Sequence, residues 1–371
     1  MKTNPRVRLS ASLLNRVALI DAALREADMR VFFYSPKHIT ETAATVPGYI
    51  LDEDQFVPAM SEVPLVNGNF TYQTRRLLEK GMGYRRFVDW AEQRGIGVYV
   101  PYAFSELVHD KYETYKLVRA HHETLHPYCE PYRRSARQLE RFVESSPTTF
   151  IKPRTGSKGN RITTLKRDRN GLSVTFYHAG RQRRFAAKTI GQASEFVRHL
   201  TRGKTRYVIE HGIDTLSYAD RVFDIRVVMV YDGSAWTWFH EARVSPRGSD
   251  VSNVSQGGSS IVTEELLHAV LGAEAAQQKL RELESDAFAL AVYLDKLHPG
   301  DLMEVAFDFV LDHEARLHLV EINTKPGLLH VGFLRKVFDS LPDEEPLFER
   351  WVYPHTSALA RFLRSKIRRA G

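Results

Sequence analysis

The chain has 371 residues, 43% of them hydrophobic and 26% charged, which is ordinary for a globular protein and excludes a mainly disordered or collagen-like chain. Its single cysteine, Cys129, excludes an internal disulfide framework and a cysteine metal cage, which fits a reducing cytoplasm. The 52 Lys and Arg against 45 Asp and Glu give a net charge of +7, which suggests a polyanionic partner but must first be located.

The first third of the chain has the pattern of a small α/β unit. Residues 1–30 show helical apolar spacing without the uninterrupted apolar region of a secretory signal, and no window is apolar enough to span a bilayer. Short apolar runs at 31–35 and 96–100 predict buried parallel strands, with a helix over 72–94 between them. We therefore expect an N-terminal α/β domain over residues 1–108.

The rest of the chain alternates between helical and strand-like patterns. The predicted elements are a helix over 109–122, a strand at 148–152, a hairpin of 172–177 and 183–187, strands at 207–210, 224–231 and 235–241, a loop over 245–260, a helix over 263–297, a strand pair at 304–311 and 317–323, and a helical tail. The expected fold class is α/β (α+β), with further boundaries that give units 109–207 and 208–371.

The basic excess lies mainly between residues 131 and 206, where 19 Lys or Arg stand against 4 Asp or Glu. Inside this stretch, a strand ending in Lys152 is followed by a turn that contains Gly156, Ser157 and Gly159. Glycines let backbone N–H groups approach phosphate oxygens, and a serine adds a donor. The turn matches neither a Walker loop nor a dinucleotide fingerprint. A phosphate-binding loop and an ordinary turn both remain open on this pattern alone.

Three oxygen-bearing side chains converge in the final strand pair. Asp308 and Glu321 lie at nearly equal distances from the turn near Glu314, so they should face each other across the pair. Asn323 shares the side of Glu321, because residues two apart in a strand point the same way. Burying these groups is costly unless a cation lies there, and hard oxygen ligands favour Mg²⁺ or Mn²⁺. A solvated strand face is the alternative.

In this order, the motifs resemble the ATP-grasp superfamily, and within it the YheC/YheD-type proteins, with RimK-like carboxylate–amine ligases as relatives. The resemblance runs from about His109 to Leu328. It implies an ATP-grasp fold preceded by a pre-ATP-grasp domain, with ATP and Mg²⁺ (or Mn²⁺) as cofactors. One departure is that Asn160 and Arg161 stand where many relatives carry another glycine.

The resemblance also implies roles for individual residues. ATP-binding positions are Lys111, Lys152, Gly156, Ser157, Gly159, Glu210, His211, Asp224 and Asn253. Metal ligands are Asp308, Glu321 and Asn323. Catalytic positions, which would clamp phosphate or stabilise the reacting groups, are Arg226 and Arg243.

The implied function is an ATP-dependent carboxylate–amine ligase that forms an amide or peptide bond through an acyl phosphate. Its partners would be an amino acid, peptide or protein carboxylate and an amine acceptor, without membrane or nucleic acid. The residues offer no competing nucleophile, since Cys129 has no positioned base. Residues 1–105 and the loop 245–260 are expected to set substrate choice. A homodimer is the default assembly and the cytoplasm the default location.

Two other hypotheses compete. The first is an ATP-grasp-shaped nucleotide-binding or spore-coat-associated protein with little turnover, as the spore-coat association of the YheC/YheD group suggests; the intact metal residues argue against it. The second is a nucleic-acid-binding protein, which would place aromatic stacking platforms among the basic residues. Aromatic residues are present in that stretch, but mostly at strand positions that suit a core: Tyr132, Phe142, Phe150, Phe176 and Tyr177.

Overall fold

The computed structural model describes residues 102–156, 160–168, 171–178, 181–247, 258–298 and 302–324, shorter stretches between residues 21 and 99, and residues 361 and 362. Its helices are α1 (Tyr84–Glu92), α2 (Tyr102–His109), α3 (Lys111–His121), α4 (Ala136–Ser145), α5 (Ile190–Leu200), α6 (Thr263–Leu271) and α7 (Ala273–Leu297). No helix in these ranges is both long and apolar enough to cross a membrane.

The strands of the described part of the chain fall into four sheets. Those before α2 are β1 (Phe32–Tyr34), β2 (Thr45–Asp52), β3 (Gln55–Glu62), β4 (Val66–Gly68) and β5 (Gly97–Tyr99). Those of the middle region are β6 (Cys129–Pro131), β7 (Thr148–Pro153), β8 (Ile162–Asp168), β9 (Gly171–His178), β10 (Arg181–Ala187) and β11 (Tyr207–His211). The last are β12 (Ser217–Tyr218), β13 (Arg221–Tyr231), β14 (Trp236–Val244), β15 (Ser259–Ile261), β16 (Glu304–Leu311) and β17 (Leu317–Asn323).

Six antiparallel strands form the central sheet, in the order β10-β9-β8-β7-β11-β6. Side chains alternate between its faces. On one face, Ile151, Leu165 and Val174 pack with Phe142 of α4 and Val197 of α5 in one buried cluster. The opposite face is therefore the one available for a site.

The C-terminal sheet has the order β15-β14-β13-β16-β17, with the short β12 added to β13. Its apolar face includes Ile225, Phe307 and Ile322, which form one buried core with Leu283 and Leu290 of α7. Because alternate residues point away from this core, its other face carries a row of charged side chains. The same helices that stabilise the sheet thus fix the positions of those charges.

Helices α2 and α3 connect the two sheets. Phe104, Val108 and Val118 belong to the core of the C-terminal sheet. Tyr115, one turn earlier on α3, packs with Cys129 and with β11 of the central sheet. Helix α3 therefore contacts both sheets and is placed to bring a side chain between them.

In the first third of the chain, the runs 31–35 and 96–100 were each predicted to form a parallel strand, and for 31–35 this is wrong. Strand β1 instead pairs antiparallel with β2, which continues into β3. Strand β5 does pair in parallel, but with β4. The polar and proline-containing segments that form β2 and β3 lack the continuous apolar run on which the prediction relied. Helix α1 lies inside the predicted helix 72–94; residues 1–20 are outside the described residues.

The predicted helix 263–297 is two helices, α6 and α7, that meet at Gly272. Gly272 has a φ of 82°, and its N–H donates to the carbonyl of His268. This left-handed backbone ends a helix and is costly for other residues. Strand β8 and helices α4 and α5, which the sequence analysis did not predict, complete the central sheet and its helical cover.

The turn between β16 and β17 is stabilised by Asp312. Its carboxylate accepts hydrogen bonds from the backbone N–H groups of Glu314 (3.0 Å) and Arg316 (2.8 Å). It also contacts Nε of Arg316 (2.7 Å) and Nε2 of His318 (2.8 Å). Burial alone would raise the pKa of Asp312, but these hydrogen bonds lower it to about 2.

We expect Asp312→Ala to lower the free energy of unfolding by ~1–3 kcal/mol near neutral pH, because several charge-assisted hydrogen bonds are lost together. The pKa of Asp312 is depressed in the folded state, so its contribution is present above the unfolded value of about 4 and is lost as the pH falls toward 2. Urea unfolding of both proteins near neutral pH and near pH 2 measures how much of the stability difference is lost in acid. Glu314→Ala, at an exposed residue of the same turn, is the control; an Asp312→Ala effect that does not shrink in acid would contradict the account.

Candidate functional site

The free face of the central sheet carries a buried ion pair between two neighbouring strands. Nζ of Lys152 on β7 lies 2.5 Å from Oε1 of Glu210 on β11. The register pairs Phe150 with Glu210 and Lys152 with Val208, so both charged side chains point to the same face. Only 14% of the Lys152 side chain and 4% of the Glu210 side chain are exposed. The pair is thus a desolvated cation and anion at one edge of the space between the sheets.

The turn after β7 is joined to the start of α3. Nζ of Lys111, the first residue of α3, donates to the carbonyl oxygen of Gly156 at 2.9 Å. Gly156 has a φ of 145°, a conformation that suits glycine. Arg154, just before it, pairs with Asp110 at 2.7 Å, and Asp110 caps α3 by accepting from the backbone of Tyr112. This arrangement holds the Lys111 ammonium beside the predicted phosphate-binding turn.

Lys111 is also the electrostatic link between the two sheets. Burial lowers its pKa, the charge of Glu321 on β17 raises it, and the charge of Lys152 on β7 lowers it. Charged side chains of both sheets thus lie within electrostatic range of the Lys111 ammonium. A negatively charged ligand near Lys111 and Lys152 would be attracted by both ammonium groups.

One face of the C-terminal sheet, which we call the charged face, holds eight polar side chains from five strands. Asp224 is the register partner of Arg243, and Arg226 is the partner of both Glu241 and Asp308. The row continues because Arg243 pairs with Ser260, Asp308 with Glu321 and Ala306 with Asn323. Its members are Asp224, Arg226, Glu241, Arg243, Ser260, Asp308, Glu321 and Asn323.

Asp308 is the centre of the hydrogen bonds on the charged face. Arg226 donates to both of its oxygens at 2.7 Å each, Arg243 lies 2.9 Å from Oδ2, and Nδ2 of Asn323 donates to Oδ2 at 3.1 Å. Arg243 also forms a forked pair with Asp224, at 2.5 and 2.7 Å. Burial alone would raise the pKa of Asp308, but the two arginines hold it well below its usual range. Asp308 is therefore ionised and ordered.

The predicted arrangement of Asp308, Glu321 and Asn323 is confirmed as geometry. Asp308 and Glu321 are direct partners across β16 and β17, next to a register shift between Asp308 and Phe309, and Asn323 touches Asp308. No hydrogen bond or ion pair to the Glu321 carboxylate is found among the described residues. The three groups supply the hard oxygen ligands that Mg²⁺ prefers.

The charged face offers only a few oxygen ligands for a metal ion, which suits magnesium. Within the described ranges, no group of three or more His, Cys, Asp or Glu side chains is arranged to hold a metal ion. Magnesium commonly binds through one or two carboxylates, with phosphates and water as its other ligands. Two carboxylates and the amide oxygen of Asn323, beside a space lined by Lys111 and Lys152, meet that requirement.

The remaining predicted residues fall into two groups. Ser157, Gly159 and Asn253 lie outside the described residues. The His211 side chain points away from Glu210: its Nε2 lies 2.9 Å from Oγ of Ser145, and its ring packs edge-on against Phe142. Any nucleotide contact of His211 on the Glu210 side therefore falls to its backbone.

Sequence reasoning missed two charged residues of this region. Arg154 holds Asp110 and Glu113 of α3 against the turn after β7. Glu241 lies beside both arginines of the charged face and is 5% exposed. The signal for Glu241 was its place two residues before Arg243 on a strand, which puts both on one face. The signal for Arg154 was weaker, since a basic residue in a basic stretch suggests only a solvated surface.

The structure also contains a cavity of about 500 Å³. It lies between the segment 211–214 and the turn 312–316, and its wall includes His126, Tyr128 and His318. Of the predicted site residues, His211 is the one in its lining. The cavity is thus separate from the charged face.

Comparison with known proteins gives the same family as the motifs. Residues 101–332 match the family model described as YheC/D-like ATP-grasp. The chain is 22% identical over 303 residues to the endospore coat-associated protein YheD of Bacillus subtilis (strain 168), covering 80% of this chain and 64% of that protein. The chain spans less than two thirds of the length of the curated relatives it matches.

Two solved structures share the architecture. The D-alanine–D-alanine ligase from Coxiella burnetii superposes with a TM-score of 0.51 at 12% identity, over 97% of this chain and 91% of that chain. The ATP-grasp ligase PsnB, complexed with a phosphomimetic variant of its minimal precursor, Mg and ADP, gives 0.50 at 12% identity, over 95% of each chain. At these identities the likeness shows a common fold, and the predicted ATP-grasp fold is confirmed.

Proposed function

Since the chain belongs to the YheC/D-like ATP-grasp family, we propose that it is an ATP-dependent carboxylate–amine ligase that forms an amide or peptide bond through an acyl phosphate. The observation that carries the proposal is the buried charged face, in which Arg226 and Arg243 contact Asp308. Glu321 lies beside Asp308 and has no hydrogen bond or ion pair among the described residues. Burying so many charged side chains costs free energy. That cost is explained if the face binds both anionic ligands, such as phosphates and a carboxylate, and a cation such as magnesium.

The cations of the site would hold the nucleotide and the reacting groups. Lys111 and Lys152 lie within electrostatic range of each other and supply ammonium groups for phosphate oxygens. Glu210, buried beside Lys152, can accept a hydrogen bond from the adenine amino group. Arg226 and Arg243 present guanidinium groups already oriented by Asp308, so little reorganisation is needed to stabilise an oxyanion.

The reaction needs no protein nucleophile. A carboxylate oxygen of the substrate attacks the γ-phosphorus of ATP, the bond to the β-phosphate oxygen breaks, and ADP leaves. The amine nitrogen then attacks the carbonyl carbon of the acyl phosphate, and inorganic phosphate leaves. Asp308, Glu321 and Asn323 would hold magnesium, which would supply charge neutralisation for the phosphates. The protein orients the reactants and excludes water.

The similarity to an endospore coat-associated protein supports a second candidate function, that of a nucleotide-binding or spore-coat-associated protein with little turnover. The two hypotheses differ in one observable, because both predict ATP binding but only the ligase predicts ADP release that depends on substrates. We retain the cytoplasm as the proposed location and a homodimer as the default assembly.

The proposal is tested by ADP release from Mg-ATP, with amino acids and peptides supplied singly and in pairs. The expected result is ADP formation that requires both a carboxylate and an amine, with the ligated product found by mass spectrometry. ATP binding without ADP release under any pairing would favour the second function. Absence of nucleotide binding would contradict both.

We expect Lys152→Met to weaken ATP binding by at least ~10-fold, equivalent to about 1.4 kcal/mol. The loss has two causes: a phosphate contact disappears, and Glu210 remains buried without its 2.5 Å partner. Titration calorimetry with a non-hydrolysable ATP analogue measures the affinity. Lys188→Met, at an exposed lysine just after β10, is the matched control; equal affinities for the two variants would remove Lys152 from the proposed nucleotide site.

A further inference from the structure

Glu241 is a buried carboxylate that the proposed mechanism leaves without a role. It lies on β14, is 5% exposed, and is the register partner of Arg226. Its one hydrogen bond among the described residues comes from Oγ of Ser260, which donates to Oε2 at 3.3 Å. A buried carboxylate with so little compensation is costly, which suggests that a partner arrives with the substrates.

The two neighbouring arginines donate to carboxylates other than Glu241. Arg226 directs its fork to Asp308, and Arg243 directs its donors to Asp224 and Asp308. The charged face holds four carboxylates against these two guanidinium groups. Magnesium held by Asp308 and Glu321 would offset the excess negative charge at one end of the face. Glu241 lies at the other end of the charged face, on β14, two strands from Asp308 on β16. At the usual strand spacing this separation is roughly 10 Å.

We propose that Glu241 and Ser260 form the binding site for the acceptor amine, and that the Glu241 carboxylate takes a proton from the bound ammonium. The proposal rests on the ligase function above and names the group that receives its second substrate. An ammonium has only donors and needs an anionic acceptor. Ser260 ends the stretch 245–260 that the sequence analysis linked to substrate choice, so its position is consistent with an acceptor site.

The proton balance of the step is complete. The ammonium gives one proton to Glu241 and becomes a neutral amine with a free lone pair. The C–N bond forms as nitrogen attacks the acyl phosphate, and the C–O bond to phosphate breaks. The second proton leaves the nitrogen with the departing phosphate, and Glu241 later returns its own proton to water. Burial raises the pKa of Glu241, which makes it a stronger base toward this proton.

The test compares two acceptor probes in the full-length protein with Mg-ATP and a carboxylate panel of amino acids. Ammonium chloride is almost wholly protonated at neutral pH and needs a base, whereas hydroxylamine is largely neutral and does not. For Glu241→Gln we expect ammonium-dependent ADP release to fall by at least ~100-fold while hydroxylamine-dependent hydroxamate formation stays within ~3-fold of wild type. Glu195→Gln, at an exposed glutamate of α5, should leave both unchanged.

Equal losses of activity with ammonium and with hydroxylamine would overturn the proposal, because Glu241 would then have a structural role. No loss of activity with either probe would also overturn it, because Glu241 would then have no role in the reaction. Unchanged ATP affinity of Glu241→Gln checks that the charged face remains folded. If that variant fails to fold, Ser260→Ala provides the second measurement, with an expected ~5-fold increase in KM for ammonium and none for hydroxylamine. A wild-type protein that releases ADP with an amino-acid or peptide pair but with neither probe would overturn this inference alone. Absence of ADP release under every pairing would contradict the ligase function as well.

Discussion

Replacing Glu321 by Gln is expected to lower magnesium-dependent ATP turnover by ~10²–10³-fold while leaving the stability of the protein unchanged. Its carboxylate faces Asp308 across the strand pair, and no hydrogen bond or ion pair to it is found in the described part of the chain. The fold therefore loses little when the charge is removed, but the proposed metal site loses one of its two carboxylates. ADP release and urea unfolding measure the two effects separately.

Glu314→Gln, at the exposed turn of the same hairpin, is the control for Glu321→Gln and should alter neither quantity. Retained turnover in Glu321→Gln would remove this residue from the metal site. A large loss of stability would show instead that Glu321 has a structural role like that of its neighbour Asp308.

Replacing Asp308 by Asn is expected to destabilise the protein by ~3–5 kcal/mol in addition to stopping turnover, because two buried guanidinium groups lose their shared anion. The pKa of Asp308 is depressed in the folded state. Its stabilisation is therefore present above the unfolded pKa and is lost as the pH falls through the lower folded value. Urea unfolding of both proteins at neutral and acidic pH checks the magnitude and the sign.

A double-mutant cycle with Arg226→Met identifies the cause of the Asp308→Asn effect. If Asp308 stabilises the fold through this arginine, Arg226→Met should recover part of the loss, with a coupling of ~0.5–3 kcal/mol. Additive effects would show that Arg226 and Asp308 do not stabilise each other, contrary to their two 2.7 Å contacts.

The resemblance to the ATP-grasp superfamily predicted the fold, and it could be seen in the sequence because glycine turns, strand alternation and paired carboxylates are local patterns. The facing of Asp308 and Glu321 could be predicted since a hairpin register follows from the distance of each residue to the turn. The register shift between Asp308 and Phe309 could not, because the alternating pattern of the two strands does not mark where an extra residue enters the pairing. Strand β8 was missed for a related reason: its basic residues Lys166 and Arg167 hide the alternation.

The contacts between the side chains of the candidate site were harder to predict from the sequence than which residues lie near one another. Sequence assigned Arg226 and Arg243 to substrates, yet both contact Asp308 in this structure, because pairing across β13, β14 and β16 is a tertiary property. Glu241 was not predicted to have a role, since a glutamate near an arginine usually forms an exposed ion pair. Its burial becomes evident only when the sheet order places β14 next to β13.

The basic excess of the chain has more than one explanation. Lys111 and Lys152 lie in the proposed nucleotide site, but Arg181, Arg183 and Arg184 are exposed on β10, the outermost strand of the central sheet. Charged side chains on an edge strand disfavour pairing with a second chain. Two of the aromatic residues considered for nucleic-acid stacking are buried in the core, namely Tyr132 and Phe142. The distribution therefore gives little support to a nucleic-acid surface.

The transfer of a carboxylate oxygen to phosphate is the most direct test of the account. The carboxylate that supports ADP release is labelled with oxygen-18 on both oxygens, and the inorganic phosphate formed with Mg-ATP and amine is analysed by mass spectrometry. An acyl phosphate requires one labelled oxygen in each phosphate, and Glu321→Gln should form this labelled phosphate ~10²–10³-fold more slowly than the wild type. Phosphate that carries no label would show hydrolysis by water and would contradict the proposal that this charged face joins a carboxylate to an amine.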